Sequence, residues 1–206
     1  MRTLLCFTML ILVALCQGNN TLALAVTLEF SPTSQIVDPG KPVTVDVVIS
    51  GLAAGGPPSV GAFDLDVSFN PAILSSTGVT FGHSLGNPGL GEVLTASSLV
   101  PGVIDFAAVS LLSSEELDAL QPARFSLANL AFSPVGVGTS RLTFSQVIVA
   151  DTFGVTLDTD SRVGSVTVVP EPSSLFLFAP VLVAAIVTIW LRTHQTRREG
   201  LKPGDR

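Results

Sequence analysis

The chain has 206 residues, of which 47% are hydrophobic and only 13% are charged, and its formal net charge is −6. A mean hydropathy of +0.61 excludes a disordered acidic protein, because such chains combine low hydrophobicity with dense charge. With 10 basic against 16 acidic residues, the chain also lacks the positive excess of a nucleic-acid-binding protein, so we expect no nucleic-acid partner.

Residues 1–25 have the three-part organisation of a secretory signal peptide. Arg2 supplies the positive charge, an apolar run follows at residues 4–15, and a small-x-small cleavage site ends at Ala25. Cleavage after Ala25 would make Val26 the first residue of the mature protein. The segment therefore predicts export, with an uncleaved anchor as an alternative.

Both cysteines of the chain, Cys6 and Cys16, lie inside this predicted signal peptide. We therefore expect a mature chain with no disulfide, no thiolate nucleophile and no cysteine-ligated zinc. A lipoprotein signal at Cys16 is a further alternative, but Leu15 stands where such signals carry a small residue.

Residues 175–191 form a second apolar run, long enough to cross a membrane. As a helix its 17 residues would span about 26 Å, close to the roughly 30 Å of a bilayer core. Three basic residues follow closely, Arg192, Arg197 and Arg198. The positive-inside rule predicts a cytoplasmic tail at 199–206 and a preceding domain outside the membrane, with a buried core helix as the alternative.

Residues 26–169 lie between these ends and are numerous enough for one domain with its own core. They carry 4 basic and 13 acidic residues, a net charge of −9. Apolar and polar residues alternate in short runs that are bounded by Gly, Pro, Asn or Ser. The runs cover residues 26–30, 43–50, 63–69, 77–82, 103–110, 124–133, 140–149 and 163–169. This pattern predicts an all-β sandwich.

The segment from Ser113 to Leu120 departs from the strand pattern. Ser113 is placed as an N-cap, and Glu116 stands three positions later, which is the spacing of a capping box. The acidic first turn also suits the positive end of a helix dipole. We therefore predict one short helix that stops before Pro122.

Residues 82–86 match the G-x-S-x-G pattern of the hydrolase nucleophile elbow, with Ser84 as the nucleophile. The elbow needs a helix directly after the serine, and residues 87–91 (NPGLG) are not expected to form one. The catalytic histidine would have to be His194, beyond the predicted membrane span. We interpret the motif as a loop, assign no catalytic residue, and expect no enzyme activity.

Paired carboxylates are the other candidate chemistry. Asp64 and Asp66 are two positions apart and share one strand face, which we expect to be solvated, although with a loop acid they could ligate Ca²⁺. Asp158 and Asp160 begin like an EF-hand loop, but Arg162 occupies the next ligand position. We expect no cofactor and no metal site, and a structural Ca²⁺ elsewhere is left open.

The C-terminal order of motifs resembles the PEP-CTERM sorting signal of Gram-negative bacteria. Pro170, Glu171 and Pro172 are followed by the apolar run 175–191 and then by the arginines. Residues 170–198 are therefore interpreted as this signal, and the resemblance implies recognition of the Pro-Glu-Pro element by an exosortase. Two prolines also prevent regular structure, which keeps a processing site extended.

The central domain resembles the cohesin family in the order and spacing of several stretches. These are residues 26–32, 37–40, 43–52, 61–71 and 125–132, of which GAFDLDVSFNP at 61–71 is the most specific. The resemblance implies a nine-stranded jelly-roll β-sandwich, related in fold to carbohydrate-binding modules, that binds dockerins through one sheet face. No short motif marks the dockerin-contacting residues.

The sequence as a whole predicts an exported, non-enzymatic protein. It would comprise a signal helix, a cohesin-like jelly-roll β-sandwich with one short helix, and a transmembrane helix. We expect inner-membrane anchoring before processing and a place on the cell surface or in the extracellular matrix afterwards. The partner would be a dockerin-like protein or, alternatively, an exopolysaccharide. Sugar stacking uses exposed Trp or Tyr, and residues 26–169 contain neither, while most of their nine Phe are expected in the core.

Overall fold

The structure is a computed structural model that describes residues 26–170. The predicted signal peptide and nearly all of the predicted sorting signal lie outside these residues. Within the described range, no helix is long and apolar enough to span a membrane.

The described chain is an all-β sandwich with one short α-helix, as the sequence predicts. A five-stranded sheet has the order β10-β1-β3-β8-β5, and a six-stranded sheet has the order β2-β11-β9-β4-β7-β6. The strands are β1 Val26–Ser31, β2 Ser34–Val37, β3 Val43–Ser50, β4 Val60–Ser68, β5 Leu74–Phe81, β6 Val93–Val100, β7 Val103–Ser110, β8 Arg124–Pro134, β9 Gly138–Asp151, β10 Thr159–Ser161 and β11 Gly164–Val168. Only the β1–β10 and β2–β11 pairs are parallel.

All eight predicted strand runs are strands, but the nine-stranded expectation is wrong for the described residues, which contain eleven. Two of the extra strands, β2 and β10, are only four and three residues long. β2 arises because the chain leaves β1 in the five-stranded sheet and pairs a few residues later with β11 in the six-stranded sheet.

The core fills the space between the two sheets with the inward side chains of every long strand. Phe30 stacks on Phe144 with ring centroids 4.5 Å apart, and Phe69 meets Phe132 edge to face at 5.4 Å. A Cβ atom at Gly164 would lie 2.9 Å from the Phe30 ring, so this position requires glycine. Aromatic packing thus fixes the distance between the sheets near the start of β11.

The predicted helix is confirmed as α1, Ser114–Leu120, with Ser113 as its N-cap. The Ser113 backbone N–H donates to Glu116 Oε2 at 2.8 Å, and the Glu116 backbone N–H donates to Ser113 Oγ at 3.4 Å, which completes the capping box. The Ser113 backbone N–H, and then the Ser113 hydroxyl, which also donates to Glu116 Oε2 at 2.8 Å, lower the pKa of the Glu116 carboxyl. Leu117 is the one buried residue of α1, so the helix attaches to the sandwich by a narrow contact.

Gln121, the C-cap of α1, anchors this helix to the sandwich. Only 3% of the residue is exposed, and its amide exchanges two hydrogen bonds with the backbone of Val60, each 2.7 Å long. Its Nε2 also donates to the Ser84 carbonyl at 3.1 Å, and a Ser59–Asp118 hydrogen bond lies beside it. Val60 pairs with Asp151 of β9 but has no partner on the β7 side, where the pairing begins at Ala62, so the Gln121 amide satisfies its backbone groups.

We expect Gln121→Ala to lower the free energy of unfolding by about 2–3 kcal/mol, because it leaves buried backbone groups of Val60 without partners. Urea denaturation of the full-length chain measures this change. The matched control is Gln35→Ala, since Gln35 makes one exposed bond, from Nε2 to the Thr44 carbonyl at 2.7 Å. Equal losses in the two variants would contradict the anchoring role.

Candidate protein-binding face

β4 is the central strand of the six-stranded sheet and sets the character of its two faces. Phe63, Leu65 and Val67 point into the core and are buried. Asp64 and Asp66 therefore point to the opposite, outer side, as the two-residue spacing predicts. Their prediction as neighbours on one partly solvated strand face is confirmed.

The strand register extends this outer side across four strands. Residues paired directly across two strands share a face, so the pairings with β7, β6 and β9 identify the outward side chains. We call the resulting surface the binding face. It consists of Leu94, Ala96, Ser98 and Val100 on β6, Val103, Asp105, Ala107 and Val109 on β7, Ala62, Asp64, Asp66 and Ser68 on β4, and Gln146, Ile148 and Ala150 on β9.

One end of the binding face is apolar and exposed. Leu94 and Val109 are cross-strand partners with 61% and 49% of their surfaces exposed, and Ile148 is 46% exposed. The small side chains of Ala62 and Ala107 lie between them and leave this end flat. Several large aliphatic side chains left together in water on a regular sheet are typical of a protein-interaction site.

The middle of the binding face is acidic. Asp66 and Asp105 are direct cross-strand partners, and Asp64 lies two positions along β4. Partial burial and the charges of Asp105 and Asp64 raise the pKa of the Asp66 carboxyl. Gln146 Nε2 donates to Asp64 Oδ2 at 3.0 Å, whereas Asp66 and Asp105 have neither a hydrogen-bond donor nor a cation beside their carboxylates within residues 26–170.

The outer side of the five-stranded sheet is different. Two of its carboxylates have partners on neighbouring strands: Arg124 Nη2 donates to Glu29 Oε1 at 3.0 Å, and Asn129 Nδ2 donates to Asp46 Oδ1 at 2.7 Å. A third, Asp160 on β10, is exposed at the edge of the sheet. None of the large exposed aliphatic side chains of the described chain lies on β1, β3, β5, β8 or β10. Of the two outer sides of the sandwich, only the binding face combines unpaired carboxylates with exposed aliphatic side chains.

The acidic residues do not build a metal site. No group of three or more His, Asp or Glu side chains between Val26 and Pro170 is arranged to hold a metal ion. Asp160 lies in β10, so the segment after Asp158 is a strand and not an EF-hand loop. Asp151 Oδ1 accepts the backbone N–H groups of Phe153 and Val155, each at 2.9 Å, which is a turn-stabilising role.

Ser84 lies in a turn after β5, as the loop interpretation predicts. The expectation that residues 87–91 contain no helix is wrong in part, because Pro88–Leu90 form a single 3₁₀ turn. Pro88 is tolerated at the first position, the Asn87 side chain accepts the Gly89 N–H, and Gly91 ends the turn with φ 73°. The Ser84 carbonyl serves the Gln121 anchor.

The sorting and cleavage residues lie at or beyond the ends of the described chain. Val26 is buried in β1 and Pro170 is exposed after β11. The remaining predicted residues, Ala25, Glu171, Pro172, Arg192, Arg197 and Arg198, lie outside the described residues.

Strand β6 contributes Leu94 to the binding face but was not predicted from the sequence. Its sequence, VLTASSLV, has no period-two alternation, because every residue after Val93 is exposed and neither face of the strand is buried beyond that residue. The usable signal was the Pro101-Gly102 pair, which joins β6 to β7 as a two-residue hairpin turn with Gly102 at φ 90°.

We expect Asp66→Asn to raise the free energy of unfolding at pH 7 by about 0.5 kcal/mol, because it removes a like-charge cross-strand contact. A raised pKa means that the folded state holds this proton more tightly than the unfolded state, so wild-type stability falls as pH rises above the ordinary value of 3.8. Denaturation at pH 3 and pH 7 should show the gain only at pH 7. The exposed Asp160→Asn variant is the control, and an equal gain there would contradict the explanation.

No protein-family model matches the chain, and no curated protein matches it in sequence. Solved structures do match. A cohesin from Clostridium acetobutylicum is 24% identical with a TM-score of 0.55, covering 70% of this chain and 91% of its own. A type I cohesin–dockerin complex from Clostridium thermocellum matches with 12% identity and a TM-score of 0.57, and the match covers 70% of this chain and 99% of the other.

A non-cellulosomal cohesin from the archaeon Archaeoglobus fulgidus gives 16% identity and a TM-score of 0.53, covering 74% of this chain and 95% of its own. The chain thus spans nearly the whole length of each of these modules. At these identities the likeness concerns the fold. The described domain has a cohesin-like β-sandwich fold.

Proposed function

We propose that this chain is an exported, non-enzymatic protein whose cohesin-like domain binds another protein through the binding face. The observation that carries the proposal is the combination of exposed Leu94, Val109 and Ile148 with the unpaired carboxylates of Asp66 and Asp105 on one flat sheet. Exposed aliphatic groups supply the area to be buried, and charges beside them select the partner.

The chemistry of the binding face defines the partner. A matching surface would carry aliphatic side chains against the apolar end and one or two Lys or Arg side chains against the acidic middle. The net charge of −9 over residues 26–169 would accelerate association with such a basic partner. Because cohesin modules of the same fold form complexes with dockerins, we assign a dockerin-like protein as the partner class.

We expect Ile148→Asp to reduce partner binding at least tenfold, because it replaces an exposed aliphatic side chain with a fourth carboxylate inside the area that the partner must bury. The matched control is Ile36→Asp, at the far edge of the same sheet, where the isoleucine is also exposed. Tagged full-length variants would be used to capture ligands from the cell envelope, with quantification by mass spectrometry.

Equal capture by wild type and both variants would contradict use of the binding face. Captured material that survives protease but is destroyed by periodate would instead indicate a polysaccharide ligand and overturn the protein-binding proposal. The periodate treatment is included because sugars stack on exposed aromatic rings, and the ring of Phe153 is strongly exposed in the turn after β9.

We further propose that residues 170–198 direct exosortase-dependent sorting, from an inner-membrane-anchored form to the cell surface or extracellular matrix. The order of Pro170-Glu171-Pro172, apolar run and arginines supports this. The fold is consistent with it, because the Val169 N–H makes the last backbone bond of the sandwich, to the Val37 carbonyl at 3.1 Å. The motif therefore begins directly after the folded domain.

We expect the exported protein to end near the Pro-Glu-Pro motif and to lack residues 175–206. Mass spectrometry of the mature C-terminus measures this. Glu171→Ala should leave the protein unprocessed because it alters the recognised element, while Glu199→Ala, in the tail, should not. Exported wild-type protein that still ends at Arg206 would contradict the sorting proposal.

A further inference from the structure

The two sheets of the sandwich end in four edge strands, and three of them are protected against pairing with another chain. β10 has three residues and β2 has four, which are too short to template a new strand. Gln35 of β2 also donates to the Thr44 carbonyl of the opposite sheet. β5 is longer, but its register shifts between Ser76 and Gly78, and such a bulge disrupts an edge.

The fourth edge, β6, has none of these protections. It is eight residues long, and its pairing with β7 runs from Val93 to Val100 without a register shift. It contains no charged residue and no proline. Every residue after Val93 is exposed, including Leu99, whose side chain points inward beside a cavity of about 390 Å³. Natural sheets seldom leave so long and uncharged an edge uncovered.

We infer that β6 pairs in antiparallel orientation with β6 of a second copy of this chain. A two-fold axis perpendicular to the sheet would pass beside Ser97 and join the two six-stranded sheets into one of twelve strands. In this register Leu94 faces Val100 of the other copy on the outer side, and Thr95 faces Leu99 on the inner side. Such an axis keeps the outer sides of both sheets on the same side of the dimer.

The composition of β6 favours its own copy as the partner. The register places the two exposed aliphatic residues of its outer side, Leu94 and Val100, against each other, and it places Ser97 against Ser97. No charged residue lies on the strand, so no like charges meet even though each domain carries a net −9. Each copy offers one unprotected edge, so the assembly closes at two and does not grow into a fibre.

The dimer does not depend on the proposed ligand of the binding face, but it has a consequence for it. Two binding faces would lie side by side on one continuous sheet. A partner with two matching surfaces would then bind with avidity above that of one face. The two proposals fail separately, because the tests below measure the association of this chain with itself.

Disulfide cross-linking of the full-length chain tests the register. Ser97→Cys places two thiols opposite each other, and the Cα separation of directly paired residues, about 4.5–5.5 Å, lies within the range for a disulfide. Mild oxidation should convert most of this variant to a covalent dimer. Ser98→Cys is the control, because in the proposed register Ser98 faces Ala96 of the other copy. The unsubstituted chain, which contains Cys6 and Cys16, sets the baseline.

Light scattering of the purified full-length chain in detergent tests the dimer itself. Thr95→Lys should yield monomers because it places a charge in the middle of the paired edge, whereas Thr80→Lys, exposed on β5, should remain dimeric. Raising the salt concentration should strengthen the wild-type dimer, since screening weakens the repulsion between two acidic domains. A monomeric wild type, a Thr95→Lys variant that stays dimeric, or equal cross-linking at positions 97 and 98 would overturn the inference.

Discussion

The alternation of side chains along β4 decides which residues line the core and which form the outer side of the six-stranded sheet. Leu65 and Val67 point into the core, and because side chains alternate along a strand, Asp64 and Asp66 point outward. β4 pairs with both β7 and β9, and residues paired directly across strands lie on the same face. The alternation of β4 therefore also decides which residues of β7 and β9 point outward. The same rule that buries the core therefore assembles the acidic middle of the binding face.

The two outer sides of the sandwich differ in how their carboxylates are paired and in how much aliphatic surface they expose. On the five-stranded sheet, Glu29 and Asp46 each have a partner on a neighbouring strand, and that outer side exposes no large aliphatic residue. On the six-stranded sheet, Asp66 faces another carboxylate at a cost in stability that folding alone does not require. A surface that keeps a repulsive pair beside exposed aliphatic groups is better explained by binding than by folding.

Strand β6 connects the two proposals made for this molecule. Its outward side chains extend the apolar end of the binding face, and its backbone edge is the one long edge of the described sandwich that lacks a bulge, a charge and a proline. The strand pairs with β7 on one side, to which the Pro101-Gly102 turn joins it, and its other side has no neighbouring strand in the described chain. A second copy on the free side would enlarge the sheet and bring two binding faces together, so one strand would serve both recognition and assembly.

Local sequence patterns are enough to predict the sandwich class, the helix with its capping box at Ser113 and Glu116, and the outward side of Asp64, because each depends on residues close together in the chain. The sequence also carries all of the evidence for the predicted signal peptide and the predicted membrane span, since both lie outside residues 26–170. The pairing of Asp105 with Asp66 and the anchoring of the helix to Val60 by Gln121 are visible in the folded structure alone, because both depend on contacts between segments dozens of residues apart. The fold likewise reveals β6, which lacks the alternation by which a strand is recognised because both of its faces are exposed after Val93.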